Sequence, residues 1–533
     1  MNRRRQFLAD QRGFTMASVM LSMMILGLFA VGGWAAAKGD IPLARSDQDR
    51  KRAFEAAEAG IQWYTYQLEK NTNYWTYCAT AGKVAQGINN KGSRTSWRAL
   101  PNSQAEFAIE LLPVAGKTCS TTDPSGTMLD GGILRVRSTG RANGHERQMV
   151  AQYRRSSFLD YIYFTKWETL PPAAYTKFGQ SPITAAQNCD TQRSLRPSMC
   201  IAIQFPSGDA IRGPMHTEDD SLLVCGTPTF GRNATDKVEV ARATGAAAAF
   251  KQNGNGCSGS VNLAGTLIAP SKSLDLPDDN QALSKVADYS FTGNTCLQFN
   301  GDKMTVYPNQ TRWGQAAGSG FPDYRLQIAC TGTPTTYSLS TDTVVWVGAG
   351  AGCTGGYAYY QKYDDPSTCG HVAVSGSYST NVTIGAANDV IVTGNITRSG
   401  DAMMGLVAGK FVRVYHPVNP YNRDGSNNCT TNLLSSPAVT EIDAALLATT
   451  GSFITDNWDC GNPLGTLTVK GAITQYWRGA VGTGSAASPA TGYLKDYQYD
   501  DRLKYREPPQ FLDPVTSSWN LLRESEQAPV LTG

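Results

Sequence analysis

Arg12-Gly13-Phe14-Thr15-Met16 opens an apolar stretch, and residues 13–37 (GFTMASVMLSMMILGLFAVGGWAAA) carry no charged side chain. About twenty helical residues, rising about 1.5 Å each, cross a bilayer core of about 30 Å. Arg3, Arg4, Arg5 and Arg12 precede the stretch against one acid, Asp10. The positive-inside rule therefore predicts a cytoplasmic N-terminus and an extracytoplasmic bulk. A secretory signal peptide is the competing reading, with Trp34-Ala35-Ala36-Ala37 as its cleavage site. The run is longer than the usual apolar region of such a peptide, about 7–15 residues.

A short basic leader, then Gly13-Phe14-Thr15, then an unbroken apolar helix resembles the prepilin-peptidase site of type IV pilins. The resemblance implies cleavage between Gly13 and Phe14, N-methylation of Phe14, and retention of the helix as membrane anchor and filament core. Most pilins carry Glu at the fifth mature residue, and this chain has Ser18 there. In the family that Glu pairs with a neighbouring subunit's terminal ammonium, and an unpaired carboxylate in an apolar bundle is costly. Ser18 therefore points to a minor subunit, at the tip or initiating, rather than a major pilin. An ordinary single-pass anchor is the alternative.

From Arg45 the sequence reads as a second, amphipathic helical stretch. Phe54, Ala57, Ile61, Tyr64 and Leu68 recur near the helical period. Gly39 and Pro42 intervene, which predicts a kink or a short melted segment. The run Ala53-Phe54-Glu55-Ala56-Ala57-Glu58-Ala59-Gly60 resembles the same region of PilX-type minor pilins.

The rest of the chain is turn-rich. Of 533 residues, 53 are Gly and only 17% are charged, which favours β structure over helical bundles. Residues 71–158 are expected to form a small pilin-like α/β unit, with strands at Phe107–Leu111, Ile133–Ser138 and 141–153. Beyond Asp160, short apolar runs alternate with Gly and Asn turns: Leu222–Val224, Val372–Gly376, Val390–Ile396, Phe411–Val414 and Leu467–Ile473. That pattern predicts a β-helix or related solenoid, with a β-sandwich as the alternative. The fold class expected is mainly β with a long N-terminal α-helix: pilin-like helix plus small sheet, then a β-helix/solenoid-like extracellular domain. The segments expected are leader 1–13, transmembrane helix 14–37, amphipathic extension 38–70, α/β unit 71–158, β-rich domain 159–340, β-helix-like domain 341–482 and a Tyr/Pro-rich tail 483–533 that wraps the domain end. Phe158–Thr165, Gly213–Asp220, Ala387–Ile396 and Tyr499–Leu503 resemble large extracellular domains joined to PilX-like N-termini.

There are twelve cysteines: Cys78, Cys119, Cys189, Cys200, Cys225, Cys257, Cys296, Cys330, Cys353, Cys369, Cys429 and Cys460. An even count, no C-x-x-C and a membrane-export signal favour disulfides over metal sites. Connectivity does not follow from spacing; the simplest pattern joins neighbours, 78–119, 189–200, 225–257, 296–330, 353–369 and 429–460. Net charge is +3, all of it in residues 1–13, so no nucleic-acid partner is expected.

His216 with Glu218, Asp219 and Asp220 is the most enzyme-like cluster, against a polar turn whose His bonds to backbone. Asp275, Asp278, Asp279 and Asn280 read first as a solvated loop; as Ca²⁺ oxygen ligands they lack the EF-hand pattern, with Gly missing and Pro277 interrupting. Residues 422–428 read as a turn, with a Ca²⁺ site as the alternative. Gly350, Gly352 and Gly355 fit G-x-G-x-x-G, but a strand rather than a helix is expected after them. No catalytic residues, cofactor or metal are expected. The function expected is that of a non-enzymatic minor subunit of a type IV pilus-like filament. Its partners would be other pilin subunits, the assembly machinery, prepilin peptidase, the inner membrane before assembly, and a surface or glycan ligand at the cell surface or pilus tip. An adhesin outside a filament and an anchored β-helix enzyme acting on polysaccharide are the alternatives.

Overall fold

The computed structural model describes residues 16–70, 74–77, 88–89, 96–114, 128–129, 133–155, 157–254, 257–310, 328, 330–340, 342–353, 357, 363, 365–418, 431–485, 488–504, 506–512 and 519–527. The chain divides into two compact units. One holds residues up to 129, then 133–154 and 519–533; the other holds mainly 155–518.

The first unit is a helix on a small sheet. Helix α1 spans Met16–Lys70, 55 residues. Within it Met16–Trp34 has a mean hydropathy of 2.0 and no buried part, so by length and composition it can cross a membrane. The helical run continues through Gly39 and Pro42, so the melted segment expected there is not formed. One missing donor is a small loss within so long a hydrogen-bonded run. The second half of α1 buries Ala53, Ala56, Ala57, Ile61, Tyr64 and Leu68. Against this face lie the antiparallel strands Ala105–Leu111, Ile133–Ala142 and His145–Arg155. The AFEAAEAG run has a steric reason. A Cβ on Gly140 would sit 2.0 Å from the Ala53 carbonyl oxygen, and one on Gly60 would sit 2.1 Å from Ser138 Oγ. Small residues let helix and sheet backbones touch. Asn143 and Gly144, both at positive φ, make the two-residue hairpin that pairs Ala142 with His145. Glu106–Arg141 and Glu110–Arg137 are register partners and ion pairs on the same sheet.

The second unit is a stack of parallel strands, coil upon coil. Parallel pairing selects the solenoid over the sandwich, whose sheets are antiparallel. Between Gln204 and Ile268 each coil contributes three strands, and the ladders run Gln204–Pro206 to Leu222–Cys225 to Phe250–Gln252 and equivalently on the other two faces. Strands β1 (Tyr163–Trp167) and β2 (Ala210–Arg212) start this half. The other half begins at Tyr289–Thr292, at the opposite end of the stack, and winds back. It finishes in β3 (Pro463–Trp477) and β4 (Ser488–Tyr499). There β3 pairs with β1, and β4 pairs with β2. The stack is therefore closed in its middle by strands far apart in sequence.

One column of register partners shows the continuity: Tyr289, Val345, Ile384, Leu406, Leu446, Ile473, Tyr163, Met215, Val238 and Leu267. All except Tyr289 and Leu267, at the two ends, are buried. The segment 269–288 returns along the side of the stack. Leu274 N–H donates to Glu218, and Asn280 Nδ2 donates to the Ala386 and Val407 carbonyls in the other half.

Two expected boundaries fall differently. Strands Tyr289–Thr292 and Thr295–Gly301 pair with Thr343–Gly348 and Val372–Tyr378, so residues on both sides of position 340 share one stack. The tail does not wrap an end: β4 lies inside the stack between β3 and β2, and Trp519–Gln527 joins the sheet of the first unit.

Candidate functional site

His216 lies in the short strand Met215–Thr217, not in a turn. Met215 joins the interior column, and strand alternation turns His216 to the other face. It is fully buried there, stacked on Phe164 with ring centroids 5.1 Å apart. Its partners are carboxylates rather than backbone. Nδ1 is 2.9 Å from Glu239, its register partner in the next coil, and Nε2 is 2.8 Å from Glu218. Burial alone would lower the His216 pKa, but hydrogen bonds to both carboxylates raise it. The two carboxylates are drawn below their usual range by the same bonds, against the opposing effect of burial. Both ring nitrogens face a carboxylate, an arrangement that favours the protonated ring. Glu218 also accepts from Ser273 and Leu274, and Glu239 from the Tyr161 hydroxyl.

The neighbouring acids fasten the excursion between β1 and Gln204. Asp219 accepts from the backbone N–H of Glu168 (3.0 Å) and Arg193 (2.7 Å) and from the Arg196 guanidinium. Asp220 accepts from the Ser194 N–H at 2.9 Å. That excursion carries the short helix Pro182–Cys189 and the Cys189–Cys200 disulfide. Through these bonds Asp219 and Asp220 tie the excursion to the stack.

A cleft of about 290 Å³ lies at the mouth of the same excursion. Leu170, Ile203, Val481 and Leu494 make its apolar walls, Trp458 and Tyr493 add aromatic surface, and Asp209 and Lys495 contribute charge. Phe178, also on its lining, is 41% exposed. Its size is close to that of small-molecule pockets, about 300 Å³ and upward.

The remaining candidates separate. Gly13 and Phe14, and residues 422–428, lie outside the described residues. Ser18 is on α1 within the apolar stretch. Asp275 and Asp278 are exposed, Asp279 accepts from the Gln281 N–H, and Asn280 is buried against the stack. Among the described residues no group of three or more His, Cys, Asp or Glu is placed to hold a metal. Gly350 and Gly352 form a turn tied by the Cys353–Cys369 disulfide; Gly355 lies outside the described residues. Disulfides join 189–200, 225–257, 296–330 and 353–369. Cys460 is disulfide-bonded. Cys78, Cys119 and Cys429 lie outside the described residues.

Sequence reasoning missed three buried ion-pair groups. Arg413 lies between Asp389 (3.0 Å) and Asp456 (2.8 Å), all fully or nearly fully buried. Arg478 pairs with Glu168 at 3.0 Å and donates to the Ile203 and Gln204 carbonyls. Lys495 meets Asp209. The available signal was a lone basic residue within an apolar strand, as in Phe411-Val412-Arg413-Val414.

No protein-family model and no curated protein matches the sequence. Among solved structures, the crystal structure of the competence-associated pilin ComZ from Thermus thermophilus aligns over 90% of this chain and 97% of its own, at 11% identity and a TM-score of 0.26. A likeness this slight carries no argument about the present chain.

Proposed function

We propose that this chain is a non-enzymatic, minor subunit of a type IV pilus-like filament, anchored by α1 and displaying the solenoid outside the cytoplasm. The observation that carries the reading is one continuous helix, Met16–Lys70, whose exposed apolar first part follows Arg12-Gly13-Phe14 and whose second part docks through Ala and Gly onto an antiparallel sheet. An all-round apolar helix end has no covering in the unit itself and suits burial in lipid or among like helices. Prepilin peptidase, other pilin subunits and the assembly machinery are the partners. Disulfides fit an oxidising compartment.

The cleft between Phe178 and Leu494 favours an added adhesive role, with a surface or glycan ligand as its occupant. Affinity purification of the tagged chain from its native membranes tests the filament role. Recovery of pilins and assembly proteins supports it, and recovery of the chain with none of them opposes it. Replacing Ser18 with Glu tests position: the account expects the chain to shift from few copies at a tip toward incorporation along the shaft.

A further inference from the structure

We propose that Lys495 and Asp209 join covalently, through a self-formed amide bond between Lys495 Nζ and Asp209 Cγ. The bond would lock the closure of the stack. The contact is direct: Nζ lies 2.5 Å from Oδ2, and the Lys495 backbone N–H lies 3.3 Å from Oδ1. The Lys495 side chain is 10% exposed and that of Asp209 is 1% exposed. Asp209 immediately precedes β2, and Lys495 lies in β4, the strand that pairs with β2 through Asp496 and Ala210. Strand pairing on both sides therefore holds amine and carboxyl together, which supplies the proximity an uncatalysed amide synthesis lacks.

The surroundings suit the chemistry. Phe205 shields the pair, with its ring centroid 5.9 Å from Nζ, and Arg478 lies over the same ring at 3.5 Å. Tyr163 and Tyr497, both buried, complete the wall, and Glu168 bonds to Tyr163 and Arg478. Burial lowers the Lys495 ammonium pKa against the pull of Asp209, which favours the neutral amine needed for attack.

The step balances without an added reagent. A proton passes from the ammonium to Oδ2. The Nζ lone pair then attacks Cγ, forming the C–N bond, and the carbonyl electron pair moves onto Oδ1, where the Lys495 N–H can stabilise it. An Nζ proton passes to Oδ2, the atom it already contacts, the C–Oδ2 bond breaks and water leaves as C=O re-forms. The adjoining cleft, which both residues line, opens a path for that water. The product also removes two buried charges that are expensive to keep desolvated. Lys177–Asp459 and Lys470–Glu441 are close pairs too, but those lysine side chains are 22% and 38% exposed and keep water on the ammonium.

Tryptic mapping of the full-length chain, purified in detergent, reduced and alkylated, tests the bond. The expected result is one branched peptide joining Ser194–Arg212 to Gly479–Arg502, uncut after Lys495 and lighter than the two linear peptides by one water. Three separate peptides of unaltered mass, 194–212, 479–495 and 496–502, the last two from cleavage after Lys495, would overturn the proposal. Asp209→Asn should yield the same branched peptide with ammonia released instead.

Discussion

In the first unit the chain pairs with what it has just made: Ile133–Ala142 turns on Asn143-Gly144 directly into His145–Arg155. In the second, Thr165 of β1 waits 310 residues for Gln475 of β3. The first unit gains its core from shape, with Ala and Gly letting a helix touch a sheet. The second gains its core from a long apolar column, and it places charge around that column in buried, paired groups. Local pairing closes little chain entropy at each step, whereas a closure hundreds of residues long must be held by specific contacts once made. Among the described residues, the four disulfides, the buried ion pairs at Arg413 and Arg478 and the Lys495–Asp209 contact lie in the second unit.

The comparison breaks most sharply at Arg413. Replacing it with Leu leaves Asp389 and Asp456 buried without their cation, and should cost the solenoid about 3–5 kcal/mol. Denaturant unfolding followed by hydrogen exchange should show the loss in strands 372–448, with 105–155 unaffected. Next, exchanging Cys296 and Cys330 for Ser should cost about 2–4 kcal/mol, again in the solenoid alone. Gly140→Val reverses the pattern. Its side chain meets the Ala53 backbone, and overpacking of this kind costs about 1–3 kcal/mol. Exchange should rise in 105–155 and along the second half of α1, while the solenoid keeps its protection.

The smallest effect is a pH dependence. Because folding raises the His216 pKa, its contribution is complete below the unfolded value of about 6.5 and is lost as pH rises through the higher folded value. Glu218 and Glu239 are shifted down, so their contribution is present above about 4.3 and lost as pH falls through their folded values. The trio should therefore stabilise the solenoid most between those limits. Thermal melts across pH 4–9 should show the alkaline loss, and His216→Gln should flatten it.

How much was legible follows from how far each partner lies along the chain. The apolar run after Gly13, the amphipathic spacing of Phe54 to Leu68 and the Val and Ile strands are local patterns, and each predicts its element. Asn143-Gly144 was a readable hairpin signal that the Phe107–Tyr153 strand reading did not use. Pro42 predicts a break from its own chemistry, but the helix on both sides prevails. His216 could be singled out with Glu218, two residues away, yet Glu239 enters only through coil-to-coil register. The same holds for Asp209 and Lys495, 286 residues apart, and for the meeting of β1 with β3. A solenoid that starts in its middle has no sequence signature, because each strand carries the same alternation wherever it stacks.

The central claim is that the apolar first part of α1 is a processed pilin-type helix. N-terminal sequencing of the mature chain, after expression with a prepilin peptidase, tests it most directly. The account predicts a chain beginning at Phe14, with its α-amino group methylated where the peptidase also methylates. A chain still beginning at Met1, or one beginning near Lys38, would contradict it.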